Sequence, residues 1–331
     1  MVKFGISIVP NRAPAEFVEH IKLAEKQRFD YAWIADVGLH RETFIMCALA
    51  CQATSRIRIG PGVVNPYTRH PGIIAAQAAT LQEISRGRSF LGLGVGGYRA
   101  LHQLGIPTWD RPAKTLKEAI EILRRLMDGE RLTFQGSTFR IVDAQIDSQN
   151  QPRVPIYLGV MLGRQGLRMA GELCDGALIV GPLGSQTKRI VDIIKKAASD
   201  RGKDPAKLEI AMTTPFAVSN NRSEAIKGVK ESVAEFALLD ERLREAVLSE
   251  GITDEQISQV RDAVQQRRGI QEAVTDSMAE LFAIAGTSSD CTEKIALLKR
   301  MGITQLVVGT PAAGIPHMLR IIGEDIVPSV G

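Results

Sequence analysis

Short apolar runs recur along this chain with helical segments between them, the first four at intervals of about 30 residues, the length of one βαβ unit. VKFGISIV opens the series and ends at Pro10, and an amphipathic run from Ala15 to Lys26 follows it. YAWIAD (31–36) precedes a helix through CALACQA, and RIRIGPGVV (56–64) precedes IIAAQAATLQEI. SFLGLGVG (89–96) is the fourth such run; PIYLGV (155–160), GALIVG (176–181), LEIAMTTPFAV (208–218) and ITQLVVG (303–309) bring the count to eight. Strands that alternate with helices in this way pair in parallel and are covered by those helices.

Two stretches break the period. RLTFQGSTFRIV alternates about a Gln-Gly turn and predicts a hairpin excursion at about 131–141. The interval from about 230 to 285 is charged, helical in pattern and poor in strand formers, which predicts a helical insertion before the last strand. No linker rich in Pro, Gly or Ser divides the 331 residues. Eight βα units in one domain predict an α/β fold of the (β/α)8 type, a TIM barrel, over an open sheet.

The totals narrow the function. Hydrophobic residues make up 44% and charged residues 24% of the chain, enough apolar material for a full core. The net charge of +4 is interspersed, so no basic stripe points to nucleic acid, and Arg267 and Arg268 read as the solvated face of a helix. MVKFGISIVPNRAP turns polar too early for a signal peptide, and no run reaches the ~20 apolar residues of a membrane span, so a cytoplasmic protein without membrane contact is expected. Cys47, Cys51, Cys174 and Cys291 form neither CxxC nor any set with HxxxH, and they read as small buried side chains with no metal to bind.

Gly92, Gly94 and Gly97 spell G-x-G-x-x-G after an apolar run, the spacing of a dinucleotide-binding turn. That fingerprint belongs to a first βα turn, with an acid closing the next strand about 20 residues on. Here it follows the fourth strand, and Glu118 falls in KEAIEIL, a helical pattern, so no ribose ligand stands there. In a barrel the same loop belongs to the active-site rim, where glycines let a flat ring come close to the backbone.

The C-terminal ends of the eight strands collect Ser7, Asp36, Gly62 to Asn65, Gly96 to Tyr98, Gly159 to Met161, Gly181 and Thr213. This lining is glycine, apolar and hydroxyl with one carboxylate at a strand end, and the chain has no H-E-x-x-H or Walker loop. It suits a large planar cofactor better than side-chain hydrolysis.

The stretches MVKFGISIVPN, YAWIAD, IRIGPGVVNPYTRHP, ISRGRSFLGLGVGG, AGELCDGALIVG and AGTSSDCTEKIALLKRMGITQLVVG together resemble the bacterial-luciferase-like flavin and deazaflavin oxidoreductases. Within them the sequence is most similar to the methylenetetrahydromethanopterin reductases, over nearly its whole length and least from 230 to 280. The resemblance implies coenzyme F420, or alternatively FMN, at the barrel mouth. It implies a bulge in the third strand that supports the ring through Gly62, Val63 and Asn65, with a cis bond at Gly62–Val63. It also implies a phosphate held by backbone amides from Gly159 and Val160 to Gly163 and Arg164. Gly96, Gly97 and Gly181 complete the expected cofactor contacts, and Asp36 and Tyr98 are the polar groups expected at the reacting end, with His40 a further candidate. Arg69, His70 and Arg88 read as helix-start and turn residues.

The sequence also departs from those reductases. Ser7 stands where they carry an acid in the first strand, Gly97 stands where they carry one after the fourth, and Val37 follows Asp36 where they have histidine. Losing such acids removes general-acid capacity worth roughly 10²–10⁴ in rate, whereas hydride transfer needs only alignment. The expected activity is therefore hydride transfer between F420 and a carbon electrophile, with a pterin as the candidate small-molecule substrate and a homo-oligomer as the expected assembly. An FMN-dependent monooxygenase and a catalytically silent flavin-binding homologue are the alternatives.

Overall fold

The computed structural model describes residues 2–107, 111–147, 152–238, 243–309 and 314–330, the side chains of residues 98, 99, 185, 236 and 237 excepted. Phe4, Ile6 and Ile8 alternate with Gly5 and Ser7 along strand β1 (Lys3–Ile8), and this period of two sorts the strand between two environments. The large residues join Phe17, Ile21 and Ala24 of the helix Pro14–Lys26 in the core between strands and helices. The small ones face the barrel interior. Strands β2 (Tyr31–Ile34), β3 (Arg58–Pro61) and β4 (Leu91–Leu93) follow, each after a helix. A two-stranded antiparallel excursion, β5 (Leu132–Gln135) and β6 (Arg140–Ala144), lies where the Gln-Gly turn predicts it. Then come β7 (Ile156–Val160), β8 (Gly176–Ile179), β9 (Glu209–Val218), β10 (Ile284–Gly286) and β11 (Gln305–Gly309).

Eight of these strands run in parallel in the order β3-β2-β1-β11-β9-β8-β7-β4. Bridges between Ile59 and Ser89 and between Val64 and Leu93 join the two ends, so the sheet closes on itself as a TIM barrel. Its interior is filled by Tyr31, Trp33, Phe90, Tyr157, Leu178, Ala211 and Val307. The Trp33 ring lies 4.4 Å from Phe90 and 5.3 Å from Tyr157, tilted and edge-on as aromatic quadrupoles favour. At the N-terminal end Glu209 accepts hydrogen bonds from the Tyr31 and Tyr157 hydroxyls at 2.7 and 2.9 Å, so the half-buried carboxylate is satisfied.

The helical stretch after β9 has its own apolar core, built on Ile226, Val229, Val233, Val260, Met278 and Phe282. It differs from the sequence expectation in one respect, since residues 284–286 form a strand. β9 is ten residues long and runs past the barrel rim, and β10 pairs in parallel with that overhang, Ile284 opposite Phe216 and Gly286 opposite Val218. The backbone of an overhanging strand needs partners, and three residues supply them.

The hairpin excursion is tied down by one carboxylate. Glu118, on the helix Pro112–Met127, accepts from the backbone amides of Ser137, Thr138 and Phe139 at 2.9, 2.9 and 3.3 Å, and from the Ser137 hydroxyl. Burial opposes its charge, yet those hydrogen bonds outweigh burial and depress its pKa to about 2. No described helix is long and apolar enough to cross a membrane.

Candidate active site

The Gly62–Val63 peptide is cis, as the resemblance implies. Gly62 donates its amide to the Ile34 carbonyl at 2.7 Å, and the Val64 amide donates to the Gly92 carbonyl at 3.0 Å. The Val63 side chain packs on the aromatic cluster inside the barrel. The glycines of the fourth strand make room for this arrangement. A Cβ on Gly92 would stand 2.3 Å from the Pro61 carbonyl oxygen, and one on Gly94 2.8 Å from Val63 Cγ2. Gly159 across the mouth faces the same valine at 3.1 Å, whereas a Cβ on Gly97 would meet nothing within 4 Å. Two members of the G-x-G-x-x-G set are thus interior packing positions, and only the third opens on the mouth.

Asn65 is buried, and its Oδ1 accepts from the amides of Tyr67 and Thr68 at 3.0 and 2.9 Å. Gly96 has φ +75°, and a Cβ there would come within 2.9 Å of Asn65 Nδ2, so the two loops touch. Tyr98 opens the short helix Tyr98–Gln103, and its side chain lies outside the described residues.

Asp36 follows β2 and is held from two sides. Arg69 donates to its two oxygens at 2.6 and 3.1 Å, and Thr43 donates from Oγ1 at 3.0 Å. Arg69 also reaches Glu42 at 3.0 Å. Burial disfavours the Arg69 charge, but hydrogen bonds and charge from the two carboxylates outweigh it and raise its pKa. His70 caps the helix Pro71–Ile84 through Nδ1, and Arg88 donates to the carbonyls of Ile57, Cys51 and Thr54 at 2.7, 2.9 and 3.0 Å. Both are the structural residues the sequence predicts, and His40 sits exposed in the loop after β2.

On the other side of the mouth, β7 ends at Val160 and the helix Arg164–Leu173 begins with Gly163 as its N-cap. Among the described residues no side chain caps this helix, and its first turn has no acid. Its leading amides therefore offer partial positive charge to an anion. They border a cavity of about 740 Å³ lined by Arg164, Arg189, Gln186, Glu245 and Ser249. Arg189 comes from the helix Ser185–Asp200 and is absent from the residues the sequence suggests. The TKR run after the β8 loop is its signal there, and that signal is faint because charged first turns are common. Gly181, at the end of β8, lies behind Leu162 and Ile190, so it shapes the floor of this region and is itself buried.

A second cavity, of about 500 Å³, lies over the ends of β1, β9 and β11. Ser7, Thr213 and Gly309 form its barrel wall, and Gly228, Ser232 and Glu235 line it from the helical stretch after β9. The four cysteines are free and buried, and no group of three His, Cys, Asp or Glu among the described residues could hold a metal ion.

Comparison with known proteins agrees with the barrel fold. The model of the luciferase-like monooxygenases matches residues 2–305. The 5,10-methylenetetrahydromethanopterin reductase of Archaeoglobus fulgidus is 31% identical over 336 residues, covering 99% of this chain and 100% of its own. That of Methanolobus tindarius is 32% identical over 98% and 99% of the two chains. The structure of the coenzyme F420-dependent tetrahydromethanopterin reductase of Methanopyrus kandleri superposes with a TM-score of 0.92 at 29% identity, over 100% and 99% of the chains.

Proposed function

The chain belongs to the luciferase-like monooxygenase family, and from that premise we propose that it is an F420-dependent oxidoreductase of the methylenetetrahydromethanopterin reductase kind. The observation that carries the cofactor reading is the uncapped helix behind Gly163, which opens with Arg164 and Arg189 on one cavity. An elongated anionic cofactor needs an anion seat at one end and a close-packed backbone surface at the other, and the mouth offers both. Reduced F420, when bound, supplies a hydride to a carbon electrophile.

Each residue has a part in that reading. Gly163 amides and the Arg164 and Arg189 guanidinium groups hold the phosphate. Gly159 and Val160 lead the chain to that seat, and Gly181 lies behind it. Val63, fixed against Gly92, Gly94 and Gly159, supports the ring from below with Gly62. Asn65 fixes the neighbouring loop, which lets Gly96 and Gly97 approach the ring. Asp36 and Tyr98 are the polar groups at the reacting end. Asp36, locked by Arg69 and Thr43, presents oxygens held in one position at that end. We assign a pterin as the substrate. We assign the subunit contact of a homo-oligomer to the exposed apolar side chains Ile45, Leu49 and Ile73.

Titration of the purified protein with F420 and with FMN, followed by fluorescence quenching, tests this reading. The expected result is micromolar or tighter binding of F420 and none of FMN. Replacing Arg164 and Arg189 together by alanine weakens F420 binding by about 10- to 100-fold, with a flatter salt dependence. Tight FMN binding in place of F420 overturns the proposal.

A further inference from the structure

The helix Arg222–Val233 and its continuation Ala234–Leu238 show two faces. Ala225, Ile226, Val229 and Val233 are buried in the core of the helical stretch. Gly228, Ser232 and Glu235, spaced i, i+4 and i+7, look the other way, into the cavity over β1, β9 and β11. Glu235 is the one ionisable side chain among the described residues lining that cavity, whose other walls are Ser7, Thr213, Thr214, Gly309 and apolar groups. Among the described residues no basic side chain pairs with Glu235. Asp36 is turned aside to Arg69, so its charge is already compensated.

From this placement we infer that Glu235 is the substrate-facing acid of the enzyme, which holds a cationic carbon electrophile over the ends of β1 and β9. The inference rests on the proposed function and names the residue that selects for positive charge at the same mouth. Glu235 is an exposed residue on the wall of this cavity, and a carboxylate placed there favours a cation over a neutral carbonyl compound of similar shape. In the reaction it serves, one C–N bond of the methylene bridge breaks, the freed nitrogen takes a proton, and the one-carbon unit becomes an iminium ion. A hydride then adds to that carbon to give a methyl group. The hydride and the proton are those that the reduced deazaflavin loses on oxidation, so charge and atoms balance. Glu235 stabilises the iminium charge as it develops.

The test compares wild type, Glu235→Gln and the double variant Ser7→Glu/Glu235→Gln, which moves the carboxylate to the opposite wall of one cavity. The probe is the methenyl form of tetrahydromethanopterin, a stable cation, titrated into protein free of F420, with F420 binding measured alongside. Glu235→Gln is expected to weaken cation binding at least tenfold and to leave the F420 Kd within twofold. The double variant is expected to recover part of the loss. With methylene-tetrahydromethanopterin as substrate, kcat is expected to fall more than KM rises, because the charge is greatest in the transition state. Unchanged cation binding in Glu235→Gln overturns the inference while F420 binding keeps the proposed function intact. Wild type that binds F420 but not the cation overturns it as well. If wild type fails to bind F420, the proposed function falls, and the cation titration still decides the role of Glu235.

Discussion

A methyl group on Gly92 would meet a backbone oxygen, whereas one on Gly97 would meet open space. Gly92→Ala is therefore expected to lose about 1–3 kcal/mol of stability, because a carbonyl cannot rotate away as a side chain can. Gly97, whose φ is −85°, accepts alanine with a change within about 0.5 kcal/mol. Urea unfolding of the two variants separates these outcomes, and equal stabilities would mean that the loop packs differently. The spacing of these glycines is plain in the sequence, but its reason is not. Val63 and Pro61 lie some thirty residues upstream, and only closure of the barrel brings them against Gly94 and Gly92. Asp36 is a similar case. The sequence marks it as the lone strand-end acid, and its commitment to Arg69 appears only once the loops after β2 and β3 are placed side by side.

Among the elements, the β5–β6 hairpin depends on Glu118 more than on its own two strands, since an isolated pair is marginal in water. The folded-state pKa of Glu118 is depressed to about 2 from an ordinary 4.5. Its contribution is then fully present above about pH 4.5 and fades as the pH falls toward 2. Glu118→Gln should remove about 1–3 kcal/mol at neutral pH and flatten the acid limb of the stability curve between those two values. A variant that keeps the wild-type acid limb would assign that limb to other carboxylates. Elements that repeat with the βα period are legible in the sequence because their apolar pattern is local. β10 is not, since three residues carry no period, and its strand exists only because β9 overhangs the rim. Arg189 and Glu235 were hidden for the same reason: each is an ordinary charge on a helix until the barrel sets which face looks inward.

For the molecule as a whole, the cysteines are reporters spread around the barrel. Cys47 and Cys51 lie in the helix before β3, Cys174 lies before β8, and Cys291 lies in the helix before β11. Burial pushes the Cys51, Cys174 and Cys291 thiols up to about 12 and holds the Cys47 thiol well above its ordinary range. Thiolate reagents should therefore label none of them in the native protein at neutral pH. All four should react together across the unfolding transition, as a cooperative barrel requires. Modification of one thiol well before the rest, read by mass spectrometry along a denaturant series, would instead reveal an independently opening sector.

The helical stretch that carries Glu235 shares a sheet with the barrel, rooted in it through β10 rather than attached by loops alone. The proposed anion seat beside β7 and the cavity beside β1 and β9 belong to different arcs of one ring. Substitutions on that one helix face can therefore change the cavity beside β1 and β9 while the residues of the proposed anion seat stay as they are. The segment after β9 works as a tool head seated in the barrel's own sheet, apart from the handle on the other arc.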